Sequence, residues 1–430
     1  MEIAETLEYI HSVKWQGRKP GLERTRELLK VLGNPEKSLK FVHIAGTNGK
    51  GSTAACIASV LQKSGYRTGL YTSPYIRRFN ERIRVNGEDI PDNELMRLTE
   101  EIRPYADVME DSPTEFELIT ALAMKHFLNS RCDIVVLEVG MGGELDSTNV
   151  IEKPEVAVIT SIGYDHVREL GPTISDIALA KAGIIKSGGD VVIYGGNTEV
   201  EDVFNRVSAE RGVRLLRANF SRVSEVEFSL ESIRFKFAPY GEIVLPLVGS
   251  YQVYNAAVAI TALELLRSKG FKISAGDIFS GLASVKWPGR FEILGRDPVF
   301  VLDGAHNPQG AEAAANSLRR HFAGQKIVFV VGVMADKDVN AMMNAIAPLA
   351  DSFIAVRPNH QRALDAKTLC GILSRYGVPT KGYSSIWDGV AAALRKADSG
   401  TGAIKCGIVC ALGSLYFSED IRAAYMALSV

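Results

Sequence analysis

Residues 41–52, Phe-Val-His-Ile-Ala-Gly-Thr-Asn-Gly-Lys-Gly-Ser, restrict the fold of this chain more than any other stretch. An apolar run with strand character enters Gly46, Thr47, Asn48, Gly49, Lys50, Gly51 and Ser52, and a helical pattern follows from Thr53 to about Lys63. Strand, glycine-rich turn, lysine and helix in that order make a phosphate cradle. Backbone N–H groups turn inward at the glycines, the helix N-terminus adds partial positive charge, and Lys50 reaches the β- and γ-phosphates. The spacing departs from the common G-x4-G-K-[ST] loop, because Gly51 stands between Lys50 and Ser52.

Further along, strand patterns at 67–73, 133–139, 155–161 and 190–194 alternate with helical patterns at 92–103, 115–129 and 174–185. This alternation implies a mainly parallel sheet covered on both faces. Asn86-Gly87 marks a hairpin within 82–90, and the short alternating pieces of 213–248 imply a small antiparallel patch. Helices are expected at 255–269 and 274–282. Trp287-Pro288-Gly289-Arg290 then breaks the pattern as a linker, and a second α/β series follows with strands at 298–303, 326–333, 352–356 and 404–411. At 430 residues two domains are expected, 1–290 and 291–430, with the boundary near 285–297. The fold class is therefore α/β, a P-loop-type domain followed by a Rossmann-like one.

Lys plus Arg (49) nearly equals Asp plus Glu (50), so no global field draws nucleic acid, and an anionic ligand must be held by local groups. No apolar run approaches the ~20 residues that span a bilayer, and the acidic N-terminus lacks the plan of a signal peptide. Cys56, Cys132, Cys370, Cys406 and Cys410 are scattered and read as reduced thiols, with Cys406 and Cys410 as core packing rather than a metal half-site. A cytoplasmic protein is expected.

Several residues carry chemistry. Glu138 ends a buried strand beside the phosphate loop, as an ordinary strand-end acid or as a magnesium ligand. Ser73, just before Pro74, is a turn residue or a second oxygen ligand. His166 follows the strand at 155–161 and by itself reads as structural. Lys181 lies among small and apolar residues on a helix, either solvated or partly desolvated with a reactive neutral amine. Gln252 and Asn255 open a helix as caps or as readers of an adenine edge. Arg290 sits in the linker, where domain closure would carry it to a γ-phosphate. Asp303 and His306 stand just past a strand, facing whatever docks at that sheet edge.

Taken together, His43 to Ser52, Tyr71-Thr-Ser-Pro74, Arg78 to Arg82, Glu138 to Gly143, Asp146 to Asn149, Asp165-His166, Lys181 to Lys186, Trp287 to Arg290, Asp303 to Pro308 and Ala335 to Asp338 resemble the folylpolyglutamate synthase family of Mur-type ATP-dependent amide ligases. The resemblance runs from about residue 5 to about 418. It implies an ATPase domain, a smaller C-terminal domain, and an active site between them. It implies that Asn48, Gly49, Lys50, Gly51 and Ser52 bind ATP with Asn255, Arg290 and Asp303. Two Mg2+ ions are implied, one on Ser73 and Glu138 and one on His166. Lys181 resembles a lysine that the family carbamylates, and His306 sits next to the transferred phosphate. Tyr75, Thr114, Phe116 and Asp146 fall where the family holds its pterin, and Ser414 contacts the incoming glutamate. Tyr75 stands where many members carry Phe. The implied substrates are ATP, L-glutamate and a folate or dihydropteroate, the implied state is a monomer, and neither nucleic acid nor membrane is a partner.

Two other readings compete. A sister ligase building peptidoglycan precursors shares the ATP machinery but normally carries an additional N-terminal domain, for which a loop beginning at residue 46 is expected to leave no room. A nucleotide-dependent switch needs the loop and Glu138 but gives no role to Lys181, Arg290, Asp303 or His306.

Overall fold

The computed structural model describes residues 2–13, 21–398 and 407–429. It divides into two compact units. The first comprises Met1–Val223, Phe237–Gly241 and Tyr254–Val285, and the second Ser224–Lys236, Glu242–Val253 and Lys286–Val430.

The first unit is built on β1 (Phe41–Ala45), β2 (Thr68–Tyr71), β3 (Ile83–Val85), β4 (Glu88–Asp89), β5 (Ile134–Glu138), β6 (Val156–Ile159), β7 (Asp190–Ile193) and β8 (Arg214–Arg217). They form one sheet in the order β4-β3-β2-β5-β1-β6-β7-β8. The strands from β2 through β8 in that order run parallel, and only the pairs β2-β3 and β3-β4 are antiparallel. All five residues of β1 are buried, as a central parallel strand covered on both faces requires. Phe41, Tyr71, Leu122, Phe127 and Leu137 pack into one core, and Ala45, Ile159, Ile185, Val191 and Phe204 into another. The hairpin turns at Asn86 and Gly87, both with positive φ (51° and 85°), the geometry for which the Asn-Gly pair is selected.

One expectation is corrected. Residues 214–217 do not join the antiparallel patch; they pair in parallel with β7 and complete the edge of the main sheet. The patch is a separate three-stranded sheet of β9 (Val223–Phe228), β10 (Ile233–Phe237) and β11 (Gly241–Leu245), in the order β11-β10-β9. Helix Thr198–Glu210, which leads into β8, has no counterpart in the sequence reading.

The second unit contains β12 (Glu292–Arg296), β13 (Val299–Asp303), β14 (Ile327–Val331), β15 (Ala350–Ala355), β16 (Thr380–Gly382) and β17 (Ile408–Leu412), ordered β12-β13-β17-β14-β15-β16. All pairs are parallel except β12 with β13. Alternate residues serve opposite cores. Val301, Phe329, Val331, Phe353 and Cys410 pack on one face, and Leu302, Val328, Val330, Ile354 and Val409 on the other. This is why these strands read as unbroken apolar runs rather than alternating ones.

Cys56, Cys132, Cys370 and Cys410 are free thiols, all but Cys370 buried, and Cys406 lies outside the described residues. Among the described residues no helix is long and apolar enough to cross a membrane.

Candidate functional site

The carboxyl ends of β1, β5 and β2 lie side by side, since Ile44 is in register with Glu138 and Tyr71 with Leu137. At this sheet edge the chain leaves β1 through Gly46 and enters helix Lys50–Lys63. Gly46 has φ 148°, and a Cβ there would fall 1.8 Å from Thr160 Oγ1. Gly49 has φ 86°, and its Cβ would fall 2.5 Å from Asn255 Oδ1. Both positions therefore require glycine, one for a close pass by β6 and one for a left-handed turn against an amide side chain. Asn255 lies on helix Gln252–Ser268, which thereby brings its amide to the loop.

The loop is also latched sideways. Thr47 N and Asn48 N donate to Ser161 O at 2.8 and 3.4 Å. Thr47 Oγ1 both donates to Gly163 O and accepts from Gly163 N, at 3.0 and 3.1 Å. The latched segment runs on to Asp165 and His166. His166 has φ 51°, with Nε2 3.9 Å from Asp165 Oδ1 and Nδ1 4.0 Å from Glu169 Oε2.

Two lysines converge on the loop. Lys50 Nζ donates to the carbonyls of Gly46 and Thr47 at 3.1 and 3.2 Å. Lys181, on helix Ile174–Ala182, donates from Nζ to the same Gly46 oxygen at 2.9 Å. Of the two sequence readings of Lys181, the structure gives the desolvated one, with the residue 4% exposed. Burial first, and the Lys50 charge second, push its pKa down to about 7, against the opposing pull of Asp165 and Asp146.

Glu138 closes β5 and is buried, and its Oε2 accepts from Ser73 N at 3.2 Å. Among the described residues no three His, Cys, Asp or Glu side chains gather into a ready-made metal cage. A buried carboxylate beside a serine at the mouth of a phosphate loop fits magnesium, which takes one or two carboxylates and completes its shell with phosphate and water.

Toward the start of the unit an aromatic group forms around Arg82, whose guanidinium lies 5.3 and 5.4 Å from the ring centres of Tyr75 and Phe79. Phe116 packs 5.8 Å from Tyr71. Thr114 caps helix Glu115–Asn129, its hydroxyl accepting from Glu117 N at 3.3 Å while its own N donates to the Glu117 carboxylate at 2.7 Å. Arg24 grips that carboxylate in turn, at 2.8 Å. Asp146 is buried at the turn before Ser147–Val150, and burial pushes its pKa up against the hydrogen bonds it accepts from Thr148 and Met141.

In the second unit Asp303 ends β13 and is buried. Its Oδ2 accepts from Tyr251 OH at 2.9 Å and Phe291 N at 2.8 Å, and its Oδ1 from Ala305 N at 2.8 Å. Arg290 Nη1 donates to Gly304 O at 3.3 Å, and His306 Nδ1 lies 2.8 Å from the same oxygen. Arg290, Asp303 and His306 are thus gathered about Gly304. Asn307 and Pro308 then start helix Pro308–His321. Ser414, buried past the end of β17, accepts from Tyr416 N at 3.1 Å. Sequence reasoning missed Tyr251, Thr160 and the Thr47 latch. Each acts through a partner far along the chain, and only the position of Tyr251 beside Gln252 hinted at a role.

Known proteins resemble this chain over nearly its whole length. The Mur ligase middle domain family matches residues 44–263, and the Mur ligase glutamate ligase domain family matches residues 289–414. The chain is 39% identical to a Bacillus subtilis dihydrofolate synthase/folylpolyglutamate synthase, covering 96% of this chain and 97% of the relative. It is 36% identical to a Lacticaseibacillus casei folylpolyglutamate synthase, covering 98% of each. A structure of Mycobacterium tuberculosis folylpolyglutamate synthase complexed with ADP and AMPPCP superimposes with a TM-score of 0.91 at 30% identity, over 100% of this chain and 99% of that one. An Escherichia coli FolC complex with DHPP and ADP gives a TM-score of 0.85 at 30% identity, with the same coverage. The chain belongs to the folylpolyglutamate synthase and dihydrofolate synthase family of Mur-type ATP-dependent ligases.

Proposed function

We propose that this chain uses ATP to join the amino group of L-glutamate to the carboxylate of a folate, its polyglutamates, or dihydropteroate. The observation that carries the reading is the pair of lysines on the Gly46 carbonyl, at the same sheet edge as the buried Glu138. A carboxylate is a poor electrophile, because its charge repels nucleophiles and oxide is a poor leaving group. Transfer of the γ-phosphoryl from ATP yields ADP and an acyl phosphate. The glutamate amine then attacks the carbonyl carbon, phosphate leaves with the bonding electrons, and the amine loses a proton.

In this reading Asn48, Gly49, Lys50, Gly51 and Ser52 cradle the phosphates and Asn255 contacts the nucleotide. Ser73 and Glu138 would hold one magnesium ion and His166 a second. When bound, the ions offset charge on the transferring phosphoryl group. Arg290 and Asp303 serve the nucleotide and His306 the phosphoryl group. Tyr75, Thr114, Phe116 and Asp146 serve the pterin, and Ser414 the glutamate. Lys181 is the residue proposed to be carbamylated. We place the enzyme in the cytoplasm as a monomer.

Dihydropteroate is included because the Bacillus subtilis relative carries both activities in its name. The test is ADP release from ATP with glutamate and either dihydropteroate or tetrahydrofolate, products being resolved by mass. Release stimulated only when acceptor and glutamate are both present supports the ligase. Basal hydrolysis indifferent to both would establish a nucleotide switch instead.

A further inference from the structure

The turn that carries Asp146 is held from beneath by two buried hydrogen-bond chains. In the first, Asp146 Oδ1 accepts from Thr148 N at 3.0 Å and from Thr148 Oγ1 at 2.5 Å, while Oδ2 accepts from Met141 N at 2.9 Å. The Thr148 hydroxyl has one proton, and it is committed to the carboxylate. His43 Nε2, 2.9 Å from that hydroxyl oxygen, must therefore donate the next bond, which fixes the proton of the ring on Nε2. Burial, with the Lys186 charge behind it, pushes the His43 pKa down to about 3, so the ring is neutral. In the second chain Ser147 Oγ lies 2.8 Å from Thr120 Oγ1, which lies 3.1 Å from Tyr71 OH.

His43 is a costly choice for the middle of β1. It is fully buried, and among the described residues its Nδ1 has no protein partner. A buried polar atom left without a hydrogen bond destabilises the fold, and an aliphatic residue would fill the strand without that cost. What the histidine contributes is the Nε2 bond, and that bond leads to one place, the Asp146 carboxylate.

We propose that His43 and Thr148 are positioning residues for acceptor recognition, holding Asp146 in one orientation so that its oxygens meet the adjacent amino and ring N–H donors of a pterin. This inference rests on the ligase reading above. A 2-amino-4-oxo pyrimidine ring offers two neighbouring N–H groups, which suit a carboxylate whose orientation is fixed in advance. Without the Thr148 hydroxyl the carboxylate keeps its bonds from the backbone N–H groups of Met141 and residue 148 but loses the short bond that ties it to His43, and the rotational freedom it gains must be removed when the acceptor binds.

The experiment measures KM for dihydropteroate, tetrahydrofolate and ATP, with thermal melts, in wild type, Thr148→Val, Thr148→Ser and His43→Leu. Thr148→Val is expected to raise the acceptor KM about tenfold, with the ATP KM within about twofold of wild type. Thr148→Ser, which keeps the hydroxyl, restores the acceptor KM. His43→Leu raises it about threefold without lowering the melting temperature, and it carries the test if Thr148→Val does not fold. An unchanged acceptor KM in the folded variants, parallel increases for acceptor and ATP, or failure of serine to restore would each overturn the proposal. A wild type whose ADP release ignores pteroate and folate sinks the ligase reading and this inference with it. A responsive wild type with an indifferent Thr148→Val sinks this inference alone.

Discussion

Lys50 and Lys181 donate to one and the same oxygen, the carbonyl of Gly46, at 3.1 and 2.9 Å. Burial costs the Lys181 ammonium its hydration, and repulsion from Lys50 adds to that cost. With its pKa lowered to about 7, Lys181 has a neutral fraction near neutral pH that an ordinary lysine lacks, and a neutral amine can attack carbon dioxide to give a carbamate and a proton. Wild type incubated with 13C-bicarbonate is expected to show a carbamate carbon resonance that Lys181→Ala lacks, with turnover in that variant reduced about 100-fold. Equal spectra would remove the carbamate from the scheme.

The same shift sets a pH dependence in carbon dioxide-free buffer. From about pH 7 to the ordinary lysine value of 10.5, the unfolded chain binds more protons at residue 181 than the folded chain does. The contribution of Lys181 to stability therefore rises with pH through that window and is flat below it. Relative to Lys181→Met, the urea midpoint of wild type should move upward between pH 7 and 9.5. A constant difference would show that the amine is not held at a lowered pKa.

If Lys50 has the proposed role, Lys50→Ala should leave the circular dichroism spectrum unchanged while reducing ATP-dependent ligation by about 100-fold or more, through loss of a cation at the transferring phosphate. Near-normal turnover would exclude Lys50 from the phosphate site.

Gly49→Ala meets two obstacles, a left-handed backbone and an Asn255 oxygen 2.5 Å from the new Cβ. The left-handed conformation alone costs about 1–2 kcal/mol. The variant should melt lower and bind ATP more weakly, and the additional change Asn255→Ala should recover part of the stability. Absence of any recovery would deny the contact.

Arg24 and Glu117 are both largely buried and joined at 2.8 Å. Glu117→Ala leaves a buried guanidinium short of its main partner and should destabilise by about 3 kcal/mol, whereas a paired replacement by Met and Leu should cost much less. Urea titrations of the two variants separate the outcomes; equal losses would mean that packing, not charge, dominates there.

The strand, loop and helix at 41–63 were legible because local glycine chemistry and apolar periodicity agree there. One edge strand in each of the two large sheets was harder. In β8 the flanking Arg214 and Arg217 are exposed around half-buried Leu215 and Leu216, a pattern that an antiparallel ribbon would also give. In β12 the register slips between Ile293 and Gly295, which breaks the alternation that a reader of sequence follows. The site was legible where residues act through their own neighbours, as Asp303 and His306 do. It was not legible where a side chain 52 positions away completes the shell, as Tyr251 does for Asp303.

The two hydrogen bonds between Thr47 and Gly163 tie together two loops that are more than a hundred residues apart in sequence. Displacing the segment that bears Asp165 and His166 therefore means either carrying the glycine turn with it or breaking both bonds. Without the Thr47 hydroxyl that clasp is gone, and the backbone bonds to Ser161 O are left to join the two loops.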